Sequence, residues 1–240
     1  EAYNAMENYL YENDMSLPEH NDYAQQNIDF NNTIDYYLTE IYTGNRDWIT
    51  NNIKFWKKRT GGKWKWILWD TEYGMGNSPA ASHGLPSFNS LRMVVSWGGW
   101  DLSNANYGKN TKFMRHMIGY EGKVTENYTI EASEGNPAFK QKFISRCADL
   151  LNSYQRESYM STKIDAFKIS LAPEINRQFE KWGGSMEEWE DKIEALRTYT
   201  LQRPHYLRAN AMNEFDLDSE YLLDLNVNPS NSGEIKLNTI

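Results

Sequence analysis

The chain has 240 residues, with 33 acidic against 25 basic side chains, a formal net charge of −8 and 14% aromatic content. That charge argues against non-specific nucleic-acid binding, which Lys and Arg drive by neutralising phosphates, and the supply of core formers is too rich for disorder. A mean hydropathy of −0.78, with no apolar run near the roughly twenty residues that a helical span needs, excludes a membrane-crossing helix.

Residues 1–15 read as the end of a helix, with Tyr3, Met6 and Leu10 at helical spacing, and Ser16-Leu17-Pro18 breaks it. A stronger helix is predicted from Asn31 to Thr43. Ile34, Leu38 and Ile41 form its buried stripe, an Asp or Asn within 29–32 caps its start, and Gly44 ends it. The period then changes to two: 52–57 and 63–69 alternate around the turn signal Thr60-Gly61-Gly62, which predicts an aromatic β-hairpin leading into Asp70-Thr71-Glu72. Residues 77 to about 109 read as a long Gly-, Ser- and Asn-rich loop, closed by a short helix around 111–118.

The C-terminal half reads as helical. Asn136-Pro137 caps and starts a helix with Phe139, Phe143, Ala148 and Leu151 facing inward. A stretch over 158–182 is expected to be interrupted near Pro173 and ended by Gly183-Gly184. Ser185 to Glu188 form a capping box for a helix towards Leu201, and Pro204 kinks or restarts it as far as Phe215. From Glu220 a β pattern returns, in Tyr221–Leu225 and Glu234–Leu237 around a turn at 228–230. The expected division is therefore 1–217 as one domain and 218–240 as a linker opening a truncated β-module. Starting at Glu1 and stopping inside that pattern, the chain reads as an excised piece of a longer protein.

The chemistry-bearing stretch runs from Asn45-Arg46-Asp47 through Asn51-Asn52 to Asp70. Asn52 lies five residues after Asp47, and the hairpin returns Asp70 towards both, much as a protein-kinase catalytic loop precedes a metal-binding aspartate. Phosphoryl transfer needs a carboxylate to orient a hydroxyl and hard oxygens to hold Mg²⁺, and this spacing supplies three such groups. Asn45 stands where kinases carry His, and Thr71-Glu72 where they carry Phe-Gly. The plainer reading is that Asp47 caps a turn, Asn52 is a loop amide and Asp70 ends a strand.

Three blocks carry a family resemblance: 44–56 with 66–76, then Asn136 to Arg146, then Gly184 to Trp189 with Arg203-Pro204. In these the chain resembles the spore-coat protein H (CotH) kinase family over about residues 1–215. The resemblance implies an atypical bacterial protein kinase, secreted or associated with the cell envelope. Its fold would be α+β and mostly α, like a kinase C-terminal lobe bearing a small hairpin. Asp47 would be the catalytic aspartate, Asn52 and Asp70 metal ligands, and Glu72, where many relatives carry Asp, a further ligand of longer reach. Mg²⁺ or Mn²⁺ with ATP would be the cofactors and Ser or Thr hydroxyls of a protein the acceptors. No Gly-rich loop and no lysine occurs before Lys54, so an upstream lobe of the same protein is expected to cover the nucleotide, and transfer by this piece alone to be inefficient. Two rival readings keep the fold without the chemistry: a surface adhesin or protein- or glycan-binding module, and a pseudokinase.

Weaker signals have bland readings beside them. Trp64, Trp66 and Trp69 could stack on sugar but suit core packing better. Trp97 and Trp100 beside glycines could anchor a partner or pin a loop. His20, His83, His116 and His205 lack zinc spacing, although His83 could approach Asp70. Arg115 and His116 suit either a phosphate contact or a solvated helix face. The acids Glu187, Glu188, Glu190, Asp191 and Glu194 suit a helix start, and the lone Cys147 suits an inert core.

Overall fold

The computed structural model describes residues 1–45, 47–49, 51–77, 84–95, 105–124, 129–229 and 232–238. Helix α3, Phe30–Thr43, is the axis of the core. Its start is capped as its sequence predicts, with the Asp29 carboxylate accepting from the Asn32 N–H at 3.1 Å. Gly44 ends it in the left-handed conformation (φ 60°), its N–H turned back to the Glu40 and Ile41 carbonyls. Ile34, Leu38 and Ile41 are buried, and so are Tyr36, Tyr37 and Tyr42, so apolar contact surrounds most of the helix.

Two short helices precede it: α1, Ala2–Glu12, and α2, Pro18–Asn27, the latter begun by Pro18 at its first turn. α1 stops at Glu12, short of the Ser-Leu-Pro signal expected to break it, and that signal is instead a helix start, because proline lacks only an N–H that the first turn leaves unpaired. The hairpin consists of β1, Lys54–Trp56, and β2, Lys65–Ile67, antiparallel with Phe55 opposite Trp66. It hangs on the N-terminus of α3. The Asn32 side chain behaves like a neighbouring strand, accepting from the Trp66 N–H at 2.7 Å and donating to the Trp66 carbonyl at 3.2 Å. One hairpin face packs inward through Trp66, and on the same face the partly exposed Phe55 stacks on Tyr3 at 3.9 Å between ring centres. Trp64 joins that face, as the core reading expects, while Trp69 on the other side is half exposed.

Helix α4, Ser90–Val95, lies inside the stretch expected to be loop, and α5, Ala105–Ile118, starts about six residues earlier than expected. The Leu-Arg-Met-Val-Val run of α4 is too short to show a period, but Leu91, Met93, Val94 and Val95 are all buried, and tertiary packing fixes it. A second pair of two-residue strands, β3 (Lys123–Val124) and β4 (Thr129–Ile130), was not foreseen.

Helix α6, Pro137–Asn152, buries Phe139, Phe143, Cys147, Leu150 and Leu151; Ala148 points outward, contrary to expectation, because the inward stripe runs through Cys147. Helices α7, Glu157–Trp182, and α8, Met186–Phe215, form a long hairpin. Arg197 pairs with Asp165 and Lys168 with Glu190 across it. The predicted interruption at Pro173 is absent, and α7 runs through the proline on an exposed stretch. Likewise α8 runs through Pro204. The β reading of the tail also fails: Tyr221–Leu225 and residues 234–237 form no strand, and Tyr221 and Leu222 are almost fully exposed. Alternation alone makes no strand without a neighbour to share its hydrogen bonds. The molecule is thus mostly helical with small antiparallel hairpins.

Candidate functional site at the end of helix α3

The predicted loop leaves α3 at Gly44 and is fixed by burial immediately beyond Asp47. Trp48 and Ile49 are each only 1% exposed, and the Trp48 indole N–H donates to the Tyr36 hydroxyl at 2.7 Å. An anchored Trp48 holds the half-buried Asp47 beside it in place. The Asp47 Oδ2 accepts from the Asn52 Nδ2 at 3.0 Å and from the Asn51 Nδ2 at 3.3 Å. The five-residue spacing therefore brings Asp47 and Asn52 into contact. With its amide nitrogen donated to Asp47, Asn52 has its Oδ1 as the atom suited to a cation.

The hairpin brings the third residue. The strands pair from Trp56–Lys65 to Lys54–Ile67, and the chain runs on from Ile67 to Asp70 beyond the paired residues. Two stitches then fasten the acidic turn to the end of α3. The Asn45 Nδ2 donates to the Asp70 carbonyl at 3.3 Å, and the Met75 N–H donates to the Thr43 carbonyl at 2.6 Å. Close packing between the stitches requires Gly74, whose substitution by any larger residue would put a Cβ 2.9 Å from the Thr43 Cβ. Both Asn52 (φ 56°) and Asp70 (φ 58°) are left-handed, a conformation that Asn and Asp tolerate best, and one that Met75 shares at φ 53°.

Glu72 shows how close the acids lie. Its carboxyl is held above the usual carboxylate range, first by a hydrogen bond with Asp70, then by the charge of Asp70 and more weakly by that of Asp47. The shift of Glu72 marks a site short of positive charge. Even so, among the described residues no group of three or more His, Cys, Asp or Glu side chains is arranged to hold a metal ion by itself.

Beneath the loop lies a residue that motif reading passed over. Glu40, on α3, is completely buried, and its Oε2 accepts from the Asn45 Nδ2 at 3.0 Å. Burial pushes its carboxyl up to about 7, against the opposing pull of the Asn45 hydrogen bond. The signal was available: Glu40 falls three residues after Tyr37 and seven after Thr33, on the inward face of the helix.

Arg203 braces the same end of α3 from α8. Fully buried, it donates to the Ile41 and Tyr42 carbonyls at 2.6 and 2.9 Å, to those of Pro86 and Phe88 at 2.7 Å each, and to the Ser90 Oγ at 2.6 Å. A cation at a helix C-terminus also suits the helix dipole.

Set against this geometry, the chain matches the family model described as CotH kinase protein over residues 1–207. The chain belongs to this family. Comparisons with curated proteins and with solved structures return no match.

Several weaker expectations can be placed on this CotH family chain. Arg46, His83, Trp97 and Trp100 lie outside the described residues. Arg115 is buried and bonded to the Thr111 hydroxyl, and the His116 ring packs edge-on against Tyr11, so neither lies on a solvated face. The Cys147 thiol is buried and pushed up to about 12, which makes it inert at neutral pH. No described helix is long and apolar enough to cross a membrane.

Proposed function

We propose that this CotH family chain carries the phosphate-transfer site of a protein kinase that uses ATP and Mg²⁺ or Mn²⁺ to phosphorylate Ser or Thr hydroxyls. Asp47 orients the acceptor hydroxyl and takes its proton. Asn52 Oδ1 and the Asp70 carboxylate hold the metal, with Glu72 as a further oxygen donor. The observation that carries the reading is a single chain of contacts, Asn52–Asp47–Asn45–Asp70–Glu72, which joins all four candidates at the end of one helix.

The donor set fits the group. Carboxylates and an amide oxygen are hard ligands of the kind Mg²⁺ takes, and Mg²⁺ keeps open positions for phosphate oxygens and water, so a set left incomplete by protein groups suits a nucleotide-borne ion. When bound, the metal would supply charge neutralisation on the transferring phosphoryl group. Residues 1–217 would form the kinase unit and 218–240 a linker, in a protein exported to the cell surface or envelope.

The test is titration of Mn²⁺ with ATP into the wild-type chain and into Asp47→Asn and Asp70→Asn, followed by transfer from γ-labelled ATP. Expected is metal-dependent nucleotide binding that Asp70→Asn weakens by about tenfold or more, and slow transfer, for want of the upstream lobe, that Asp47→Asn abolishes with folding intact. Binding and transfer indifferent to both aspartates would overturn the reading. A second reading, a glycan-binding surface, is favoured by Trp56 and Trp69, each 49% exposed. It predicts that Trp69→Ala abolishes glycan-array binding while both aspartates are dispensable.

A further inference from the structure

The inner carboxylate of Glu40 presents an unresolved cost. Its Oε2 has one partner, Asn45, and its Oε1 has none among the described residues. An acid buried with half its acceptors unused costs stability, and such a group calls for an explanation. What depends on it is Asn45, itself only 1% exposed.

Asn45 serves both halves of the site at once. Its Oδ1 accepts from the Asp47 N–H at 3.3 Å, and its Nδ2 divides two hydrogens between Glu40 at 3.0 Å and the Asp70 carbonyl at 3.3 Å. A side-chain amide can turn either end towards a neighbour, and only one orientation satisfies all three contacts. The Oε2 that faces Asn45 accepts, whether the carboxyl is ionised or carries its proton on Oε1, so it admits only the nitrogen. With the nitrogen held towards Glu40, the oxygen faces Asp47 and the second hydrogen faces Asp70.

We infer that Glu40 is a positioning residue of this site, acting through Asn45 to set the amide orientation that holds the Asp47 loop and the Asp70 turn at a fixed separation. The inference takes the proposed site as its object and adds a member that touches neither metal nor substrate. The kinase histidine position, filled here by Asn45, is thereby tied to an acid on the helix that precedes the loop. Glu40 is required as an acceptor of the right length.

The experiment is amide hydrogen exchange on the whole chain, read at Asp47 and over 70–76, for wild type, Glu40→Leu and Glu40→Gln, with Mn²⁺ titration of the same proteins. Glu40→Leu is expected to speed exchange at the Asp47 amide by about tenfold and to weaken Mn²⁺ comparably, leaving the middle of α8 unchanged. Glu40→Gln, which keeps a carbonyl at the same reach, is expected to restore both to within about threefold of wild type. Should Glu40→Leu fail to fold, Asn45→Ala deletes the connection itself and is expected to loosen the same two segments. Unchanged protection at Asp47 in a folded Glu40→Leu or Asn45→Ala protein overturns the inference. So does Glu40→Gln behaving like Glu40→Leu. A wild-type chain that binds Mn²⁺ without regard to Asp47 and Asp70, yet responds at the Asp47 amide, would instead defeat the catalytic reading and leave the positioning role standing.

Discussion

The guanidinium of Arg203 crosses from the middle of α8 to the last turn of α3, where its Nε donates to the Tyr42 carbonyl at 2.9 Å. Its other nitrogens satisfy the Ile41, Pro86 and Phe88 carbonyls and the Ser90 hydroxyl. One planar fork thus ties the helix that launches the Asp47 loop to the 86–90 segment. Arg203→Met removes every one of these donors, although the Ile41 carbonyl keeps the Ser90 hydroxyl and the Tyr42 carbonyl keeps the Tyr199 hydroxyl. The expected loss is about 3–5 kcal/mol, read in urea unfolding, with Tm lowered by roughly 10 °C. Arg203→Lys retains the charge but not the fork and is expected to recover less than half of that loss.

Glu40 gives stability a pH dependence of definite sign. Burial raises its folded-state value from 4.5 to about 7, so between those values the folded chain binds more proton than the unfolded one. Its contribution is therefore fully present below about pH 4.5 and is lost as the pH rises through about 7. The expected change is roughly 2–3 kcal/mol across that window. Denaturant unfolding at pH 5 and pH 8 measures it. Glu40→Gln should flatten the difference and leave the chain more stable than wild type at pH 8, because a neutral amide is cheaper to bury. A variant both more stable and pH-insensitive, yet with Asn45 still engaged, separates the charge of Glu40 from its acceptor role.

Much of this site could be read from the order of residues, for reasons that are themselves local. The Asp47–Asn52 contact lies within one short loop, and the hairpin turns the chain back before Asp70, whose carbonyl meets the Asn45 side chain. The α3 boundaries were legible because Asp29 and Gly44 act on neighbouring backbone. Contacts set by distant segments were not legible. Arg203 finds its acceptors more than a hundred residues away, Glu40 looks like an ordinary helix acid until its burial is known, and α4 is helical through packing and not through period. The tail misled for the converse reason. Its alternation is genuine, but no partner strand meets it among the described residues. Pro173 misled because a proline on an exposed stretch costs a helix less than one facing the core.

The crowding of Asp70 and Glu72 can be tested by removing one charge. Glu72 is held above the ordinary carboxylate range chiefly by its hydrogen bond with Asp70 and by that residue's charge. Asp70→Asn is therefore expected to lower the Glu72 midpoint towards 4.5, and Asp47→Asn to lower it less, since Asp47 contributes least. Side-chain carboxyl carbon shifts followed by NMR over pH 3–8 give the midpoint directly. Saturating Mg²⁺ should lower it as well in the wild type, because a cation favours the charged form. A Glu72 midpoint that ignores both the Asp70 substitution and the ion would separate these groups in solution.

Gly74 tests whether close packing of the acidic turn on α3 matters to the site more than to the fold. An alanine there would place its Cβ 2.9 Å from the Thr43 Cβ and 3.1 Å from the Thr71 carbonyl oxygen, so the turn must move. The next residue makes the stitch from the Met75 N–H to the Thr43 carbonyl, and that bond lengthens first. The expected cost is about 1–3 kcal/mol, typical of overpacking, accompanied by about tenfold weaker Mn²⁺ binding as Asp70 and Glu72 shift with the turn. Gly61→Ala serves as the control: that glycine is left-handed (φ 66°) at the far end of the hairpin, with nothing within 4 Å of the added carbon. Its alanine variant pays backbone strain alone, about 1–2 kcal/mol, and should leave Mn²⁺ affinity unchanged. Comparable stability losses with only Gly74→Ala weakening the metal would place the effect in the geometry of the turn. Equal metal affinity in both variants would show that the acidic turn tolerates displacement.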